Sequence, residues 1–223
     1  ALPIYPPMTG VPELRAAIAA KVEALYGRLY DQEQEITVTA GATQALFTAI
    51  AAFVGAGDEV IVFAPVYDSY VPAIETVGGR ARFAQLRYPD YKPDWDEVRK
   101  LITPRTRMIV INSPHNPTGS LLDAADLAAL ADITRDTDIL VLSDEVYEHI
   151  VFDGARHESL ARHDELAARS LIVSSFGKTY HITGWKIGYI LGPQALMAEF
   201  RKLHQINVFT VNTPCQLGIA EYM

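Results

Sequence analysis

Residues 173–188 read VSSFGKTYHITGWKIG. One apolar run ends at the start of this segment and another begins at its end, so we predict two buried strands joined by a polar connection. Lys178 comes three residues after the end of the first strand. A lysine beside a buried strand end loses hydration, and a neutral amine can form a Schiff base with a carbonyl compound. We expect Gly177 to leave room for a flat ring, although a lysine here is more often a plain surface or strand-end residue.

The chain on both sides of this segment alternates between short apolar runs and stretches with helical periodicity. Strands are predicted at residues 36–39, 59–63, 80–86, 108–111, 139–142, 171–175 and 187–191. Helices are predicted at residues 9–26, 44–54, 68–76, 95–102, 123–135, 159–169, 193–203 and 214–223, with N-caps at Thr9, Asp94 and Asp123. Residues 1–8 are proline-rich and predicted to be extended. The alternation predicts a three-layer αβα fold of the α/β class, with a mostly parallel sheet of about seven strands in one domain over residues 1–223.

Composition excludes several classes of protein. The 223 residues are 49% hydrophobic and 21% charged, which is typical of a globular protein, and the net charge of −8 argues against a nucleic-acid-binding surface. No apolar run reaches the roughly 18 residues of a membrane span. The single cysteine, Cys215, leaves no internal disulfide and no CxxC metal motif, so we expect a reducing, cytoplasmic location.

The six histidines lack the spacing of a metal site, and no metal is predicted. Most of them are interpreted as surface or structural residues: His115, His149, His157, His163 and His204. His181 is left open because it lies so near Lys178. The sequence begins without methionine and stops inside a helical pattern, so we expect it to be the central domain of a longer protein.

Polar, small or aromatic residues follow the predicted strands, and ligands of parallel sheets bind at the carboxyl ends of strands. The backbone amides of Ala42 and Thr43 can bind a phosphate at a helix start, although a plain turn with a threonine cap fits the same residues. Asp144 can pair with a protonated pyridine nitrogen, or it is a helix cap or one half of an ion pair. Tyr147, three residues later, can place its hydroxyl near the same site or pack in the core.

Three further residues complete a set of groups that together fit a single cofactor. Asn116 can donate to a phenolate oxygen or form an Asx-turn, and Tyr67 can stack on a flat ring or be a core aromatic. Lys186 offers a second cation for a phosphate. With Lys178 and Asp144, these groups form the set that binds pyridoxal 5′-phosphate.

The motifs also resemble those of a known family. Their order and residues are similar to the large domain of class I/II aminotransferases of pyridoxal-phosphate fold type I, in the branch with methionine and kynurenine aminotransferases. The matching segments are AGATQA at 40–45, APVYDSY at 64–70, NSPHNPTG at 112–119, SDEVY at 143–147, SSFGKT at 174–179 and TGWKIG at 183–188.

The resemblance implies a role for each matching residue. Lys178 would form the Schiff base and shuttle the proton, Asp144 would pair with the pyridine nitrogen, and Tyr67 would stack on the ring. Asn116 and Tyr147 would hold the phenolate oxygen. The phosphate ligands would be Ala42, Thr43, Ser175 and Lys186, with Tyr5 reaching the phosphate of the partner in a homodimer. The small C-terminal domain and the arginine that binds the substrate carboxylate are missing from the matched pattern.

The resemblance implies transfer of an amino group from an amino acid to a 2-oxo acid. Three other functions stay open at this point. One is a different reaction of the same cofactor, such as a C–S β-lyase or a decarboxylase. The second is a non-catalytic, cofactor-binding domain of a transcription regulator, for which the basic DNA-binding segment is missing. The third is a structural fragment without cofactor.

Overall fold

The computed structural model describes residues 5–223, so part of the predicted extended segment, residues 1–4, lies outside the described residues. The strands are β1 (Ile36–Thr39), β2 (Glu59–Ala64), β3 (Arg80–Gln85), β4 (Thr106–Asn112), β5 (Leu140–Asp144), β6 (Ser170–Ser175) and β7 (Gly188–Leu191). They form one seven-stranded sheet in the order β1-β7-β6-β5-β4-β2-β3. The predicted strands are confirmed, with boundaries that differ by a few residues.

The sheet is parallel except at β7. This strand runs antiparallel to both of its neighbours, β1 and β6. The strands β1, β2, β4, β5 and β6 therefore end at one edge of the sheet, and β7 begins at that edge. The segment that precedes β7 is thus brought to the place where the other strands deliver their C-terminal residues.

Helices cover both faces of the sheet. They are α1 (Pro12–Tyr26), α2 (Ala42–Phe53), α3 (Tyr70–Thr76), α4 (Trp95–Leu101), α5 (Ala124–Thr134), α6 (Asp164–Ala167), α7 (Phe176–Thr179), α8 (Gln194–Asn207) and α9 (Thr213–Tyr222). Single turns of 3₁₀-helix occur at Leu160–Arg162 and Thr183–Trp185. Within residues 5–223, no helix combines the length and apolar character that crossing a bilayer requires.

Side chains of each strand alternate between two cores. In β2, Ile61 and Phe63 pack on the face covered by α1, α4 and α5, whereas Val60 and Val62 pack on the face covered by α2, α3 and α8. The inner strands β2, β4, β5 and β6 are buried on both sides, which is why they contain continuous apolar runs, whereas β3 at the end of the sheet is partly exposed. The predicted three-layer αβα architecture is confirmed.

Two helix caps follow the sequence prediction. The side chain of Asp94 accepts hydrogen bonds from the amides of Asp96 and Glu97, which begins α4. Asp123 forms a capping box with Asp126 at the start of α5. In both places a short carboxylate satisfies amides that the helix leaves without partners.

Two helix predictions are wrong. Thr9 does not cap α1, because Gly10 turns the chain with a φ of 101° and the helix begins at Pro12, after Val11. A proline suits that first position, since it has no amide hydrogen to leave unsatisfied. The segment 159–169 is not one helix, because His163 is extended and separates the 3₁₀ turn from α6.

Gly188 marks the closest approach between β7 and the start of α2. A Cβ atom at this position would lie 2.9 Å from the carbonyl carbon of Gly41 and 3.0 Å from the amide nitrogen of Ala42. We expect Gly188→Ala to lower the free energy of unfolding by about 1–3 kcal/mol, because backbone must move to admit the methyl group. Urea unfolding of the full-length protein measures this loss.

The matched control is Gly184→Ala, since a Cβ at Gly184 meets nothing within 4 Å. The control should keep the stability of the wild type to within about 0.5 kcal/mol. Equal stabilities for the two variants would contradict the close packing of β7 against α2.

Candidate active site

A cavity of about 730 Å³ opens at the edge of the sheet where the strands end. Its walls come from the connections that follow five strands. Contributing residues include Thr43 after β1, Tyr67 after β2, Asn116 after β4, Tyr147 after β5 and Lys178 after β6. The topology thus collects side chains that lie far apart in the sequence.

The N-terminus of α2 forms one wall of the cavity. Gly41 precedes the helix with a φ of 79°, and no side chain caps it. The amides of Ala42 and Thr43 are therefore among those that a helix leaves without an intrahelical partner. Gly41 lines the cavity and adds no side chain to this wall. Uncapped amides and the positive end of the helix dipole suit a phosphate group.

Two further polar residues lie on the same side of the cavity. Ser175 ends β6 and lines the cavity, as does Lys186. Lys186 adopts a left-handed conformation with a φ of 56°, and its Cα lies 3.8 Å from where a Cβ of Gly41 would be. Its exposed ammonium group is therefore carried by the segment beside the start of α2, where it adds positive charge.

Asp144 is the buried carboxylate of the site. The hydroxyl of Tyr70 donates to its Oδ2 at 2.5 Å, and the amide of Val146 donates to its Oδ1 at 3.2 Å. Burial raises the pKa of Asp144 to about 6, although the Tyr70 hydrogen bond acts in the opposite direction. Within the described part of the chain, no cationic side chain forms an ion pair with it. A positively charged ligand group would satisfy this carboxylate.

Asn112 links the loop that carries Asn116 to the end of β5, where Asp144 lies. Its side-chain amide donates to the backbone carbonyl of Asp144 at 3.0 Å, and its Oδ1 accepts from the backbone amide of Asn116 at 2.7 Å. Asn116 itself lines the cavity and is half-buried. Its loop is therefore fixed to the end of β5, and the Asn116 side chain is left to face a ligand.

Tyr67 lines the cavity, and its orientation is fixed by Tyr70. The two rings contact edge to face, with centroids 5.5 Å apart. Tyr70 thus supports both a ring that can stack on a flat ligand and the carboxylate of Asp144. Sequence reasoning did not assign a role to Tyr70, and its only signal was the spacing of three residues from Tyr67.

Lys178 differs from the expectation in one respect. The sequence predicted a lysine desolvated by a buried strand end, but the side chain is exposed to the open cavity. The reason is that the chain leaves β6 and enters α7 at this point, so the long side chain extends into the open cavity and not into the core. Its Nζ lies 5.9 Å from the centroid of the Tyr147 ring.

The expectation for Gly177 is also corrected. Gly177 lines the cavity, but a Cβ there would lie 3.0 Å from the Cα of Thr183. The hydroxyl of Thr183 in turn donates to the carbonyl of Gly177 at 3.0 Å. The glycine therefore makes room for neighbouring backbone and not for a ring.

Tyr5 and the six histidines do not line the cavity. Tyr5 is 62% exposed and contacts the ring of Phe209. His181 is exposed. Of the five histidines interpreted as surface or structural, three are buried and hydrogen-bonded: His115, His157 and His204. For these three, the structural alternative of the interpretation therefore applies.

Comparison with known proteins identifies the family. A model of the family "Aminotransferase class I and II" matches residues 1–221. The chain belongs to the class I and II aminotransferases. The fold agrees, because the seven-stranded sheet with its helices matches solved structures of this family.

Three members of the family illustrate the similarity. The chain is 51% identical over 219 residues to a methionine aminotransferase of Escherichia coli (strain K12), and 44% identical to a probable N-succinyldiaminopimelate aminotransferase of Mycobacterium tuberculosis. The crystal structure of YbdL from Escherichia coli, described as having a methionine aminotransferase function, superposes with a TM-score of 0.96 at 52% identity.

These alignments cover nearly all of this aminotransferase-family chain but only part of the relatives. They span 97–98% of the chain, against 57% and 55% of the two curated relatives and 57% of the solved structure. The chain therefore spans just over half the length of the proteins it matches.

The raised pKa of Asp144 gives a testable effect on stability. Because burial raises this pKa from 3.8 to about 6, the folded protein binds a proton more tightly than the unfolded chain between these pH values. The charged carboxylate therefore lowers stability, fully above about pH 6 and progressively less as the pH falls toward about 4. We expect cofactor-free Asp144→Asn to be more stable than the wild type at pH 8 by up to about 3 kcal/mol.

Urea unfolding of the cofactor-free protein at several pH values measures this difference, which should shrink toward about pH 4. Asp132→Asn is the control, because Arg99 lowers the pKa of that exposed carboxyl and its replacement should not raise stability. In the plot of stability against pH, the wild-type transition lies near pH 6. Tyr70→Phe should move this transition to a higher pH, since it removes a hydrogen bond that favours the charged form of Asp144. A difference that grows as the pH falls would contradict this account.

Proposed function

We propose that this chain forms the cofactor-binding part of a pyridoxal-phosphate-dependent aminotransferase, which moves an amino group from an amino acid to a 2-oxo acid. One observation supports this most strongly. A lysine amine, a buried carboxylate without a cationic partner among the described residues, and an uncapped helix N-terminus all border the same cavity. Few ligands need an amine-reactive carbon, a basic ring nitrogen and a phosphate at once.

The covalent and proton-transfer work belongs to Lys178. When bound, pyridoxal phosphate supplies an aldehyde carbon that reacts with amines and a ring that withdraws electrons from the substrate. Lys178 would hold this carbon covalently before the substrate enters. Its amine, once free, would act in the cavity as the base that takes up the Cα proton and later returns it. Its exposed, flexible side chain suits both tasks.

Asp144 fixes the protonation of the ring nitrogen in this proposal. Pairing with a positive nitrogen lowers the pKa of a carboxyl group, so a bound ring would keep Asp144 ionised. Burial strengthens this pairing because the local dielectric constant is low. Tyr70 supports the charged form through its hydrogen bond.

The remaining residues orient the cofactor. The amides of Ala42 and Thr43, with Ser175 and Lys186, would bind the phosphate. Tyr67 would stack on one face of the ring, and the side chains of Asn116 and Tyr147 would hold the phenolate oxygen. This division of roles is supported by their positions around one cavity.

We further infer that the protein acts as a homodimer in the cytoplasm and that methionine is one of its amino donors. The 51% identity to a methionine aminotransferase supports the substrate, and the single cysteine fits a reducing compartment. The exposure of Tyr5 fits a contact with the phosphate of a partner subunit. A screen of amino acids on the full-length protein tests the substrate, and activity on N-succinyldiaminopimelate without activity on methionine would contradict it.

Lys178 provides the direct test of the mechanism. We expect the full-length protein to develop a visible absorption band with pyridoxal phosphate, and borohydride to fix the cofactor on the peptide that contains Lys178. Lys178→Ala should lose this label and lower kcat by roughly 10²–10⁴-fold or more, because it removes both the covalent anchor and the base. Mass spectrometry and a transamination assay give the two results.

Lys202→Ala is the matched control. Lys202 is exposed on α8 and pairs with Glu199, and it does not line the cavity. This variant should keep the label and the activity. Full activity in Lys178→Ala would overturn the proposed function, and products of elimination or decarboxylation would replace it with another reaction of the same cofactor.

A further inference from the structure

A cluster of buried and half-buried polar side chains lies behind the cavity, on the α1 face of the sheet. We call it the Glu148 cluster, and it consists of Lys21, Tyr26, Glu148, Ser174 and Tyr189. Lys21 Nζ and Ser174 Oγ donate to Oε1 of Glu148 at 2.5 and 2.6 Å, and the Tyr26 hydroxyl donates to Oε2. The Tyr189 hydroxyl lies 3.3 Å from Oε1 and accepts from Lys21 at 2.8 Å. Glu148 is only 4% exposed.

The two charges of this cluster are kept inside the protein. Burial alone would raise the pKa of Glu148, but the Lys21 ammonium and the hydroxyl donors outweigh it and lower this pKa to about 2. Burial alone would lower the pKa of Lys21, but Tyr189 and Glu148 raise it. The pair is therefore ionised at neutral pH.

Stability is a weak explanation for such a pair. Removing two charges from water costs free energy, and well-packed apolar residues in place of a buried ion pair are often equally or more stable. A buried, fully hydrogen-bonded carboxylate instead fixes the positions of the groups that donate to it. The relevant question is which elements Glu148 holds together.

Glu148 joins the connections that follow two neighbouring strands, β5 and β6, and residues of both connections line the cavity. It follows Tyr147 directly, near the start of the connection after β5. Its partner Ser174 precedes Ser175, which lines the cavity at the end of β6. Its partner Tyr189 lies in β7, which begins beside the N-terminus of α2. One carboxylate thus contacts residues adjacent to groups proposed to bind both ends of the cofactor.

A second carboxylate fixes the other half of the same connection. Glu145 Oε1 accepts from Ser143 Oγ at 2.9 Å and from the amide of Leu160 at 3.1 Å. Its Oε2 lies 2.9 Å from Nε2 of His157. The two residues between these glutamates, Val146 and Tyr147, line the cavity, whereas Glu145 and Glu148 do not.

We propose that Glu148 is a positioning residue for the cofactor. Its carboxylate sets the separation between Tyr147 and Ser175, and through that separation it sets the affinity for pyridoxal phosphate. Glu148 does not line the cavity, so it acts only through the residues beside it. The inference rests on the proposed function, because it assumes that the cavity binds this cofactor.

The test compares cofactor affinity and stability in the full-length protein. Glu148→Gln keeps the size of the side chain but removes the charge that holds Lys21. We expect the dissociation constant for pyridoxal phosphate to rise on the order of 10-fold, and kcat/KM to fall by up to about 10²-fold, because small displacements of positioned groups are costly. Ser174→Ala, which removes only the link to β6, should raise the dissociation constant by a smaller factor.

Glu59→Gln is the matched control. Glu59 is 2% exposed and is held by Thr103 and Arg105 at the start of β2, the opposite edge of the sheet. This variant should lose stability, as Glu148→Gln does, but should keep the wild-type dissociation constant. All affinities are measured at a temperature at which every variant is folded.

The outcomes distinguish a failure of this inference from a failure of the proposed function. Wild-type affinity in Glu148→Gln would overturn the inference, and so would an equal loss of affinity in Glu59→Gln. If Glu148→Gln does not fold, Ser174→Ala decides, and wild-type affinity in that variant overturns the inference. A wild-type protein that does not bind pyridoxal phosphate would overturn the proposed function itself, and with it this inference.

Discussion

The buried carboxylate of Asp144 is the constraint on which the site depends. It lies at the end of β5, and burial raises its pKa to about 6. The protein partly offsets this cost with hydrogen bonds from Tyr70 and Val146, which bind the carboxylate without neutralising it. Such a group destabilises the free protein at neutral pH, and that cost is offset when a cation binds in the cavity.

The topology of the sheet determines what surrounds this carboxylate. Parallel strands bring their C-terminal connections to one edge, and the reversed β7 brings Lys186 to the same edge. Gly188 allows β7 to approach the start of α2 closely, and the backbone amides there are the groups proposed to bind the phosphate. The Glu148 cluster then connects α1, β6 and β7 on the rear face. The residues proposed to bind the cofactor and the cluster proposed to position them therefore lie on opposite faces of the sheet.

Much of this arrangement could be predicted from the sequence, because it depends on local patterns. Apolar runs predicted the strands, and Asp94 and Asp123 predicted the starts of two helices. Features that depend on distant residues could not be predicted. No local pattern indicates that Tyr70 reaches Asp144 or that Lys21 meets Glu148, since these partners lie on separate elements. The exposure of Lys178 was mispredicted for a related reason: the direction of α7 after β6 is set by packing against the segment around Thr183.

A crystal structure of the full-length protein with pyridoxal phosphate tests the central claim most directly. The account predicts a covalent bond to Lys178, a ring nitrogen within hydrogen-bonding distance of Asp144, and a phosphate that accepts hydrogen bonds from the amides of Ala42 and Thr43. A cofactor bound with its phosphate elsewhere, or a ring nitrogen that does not contact Asp144, would contradict it.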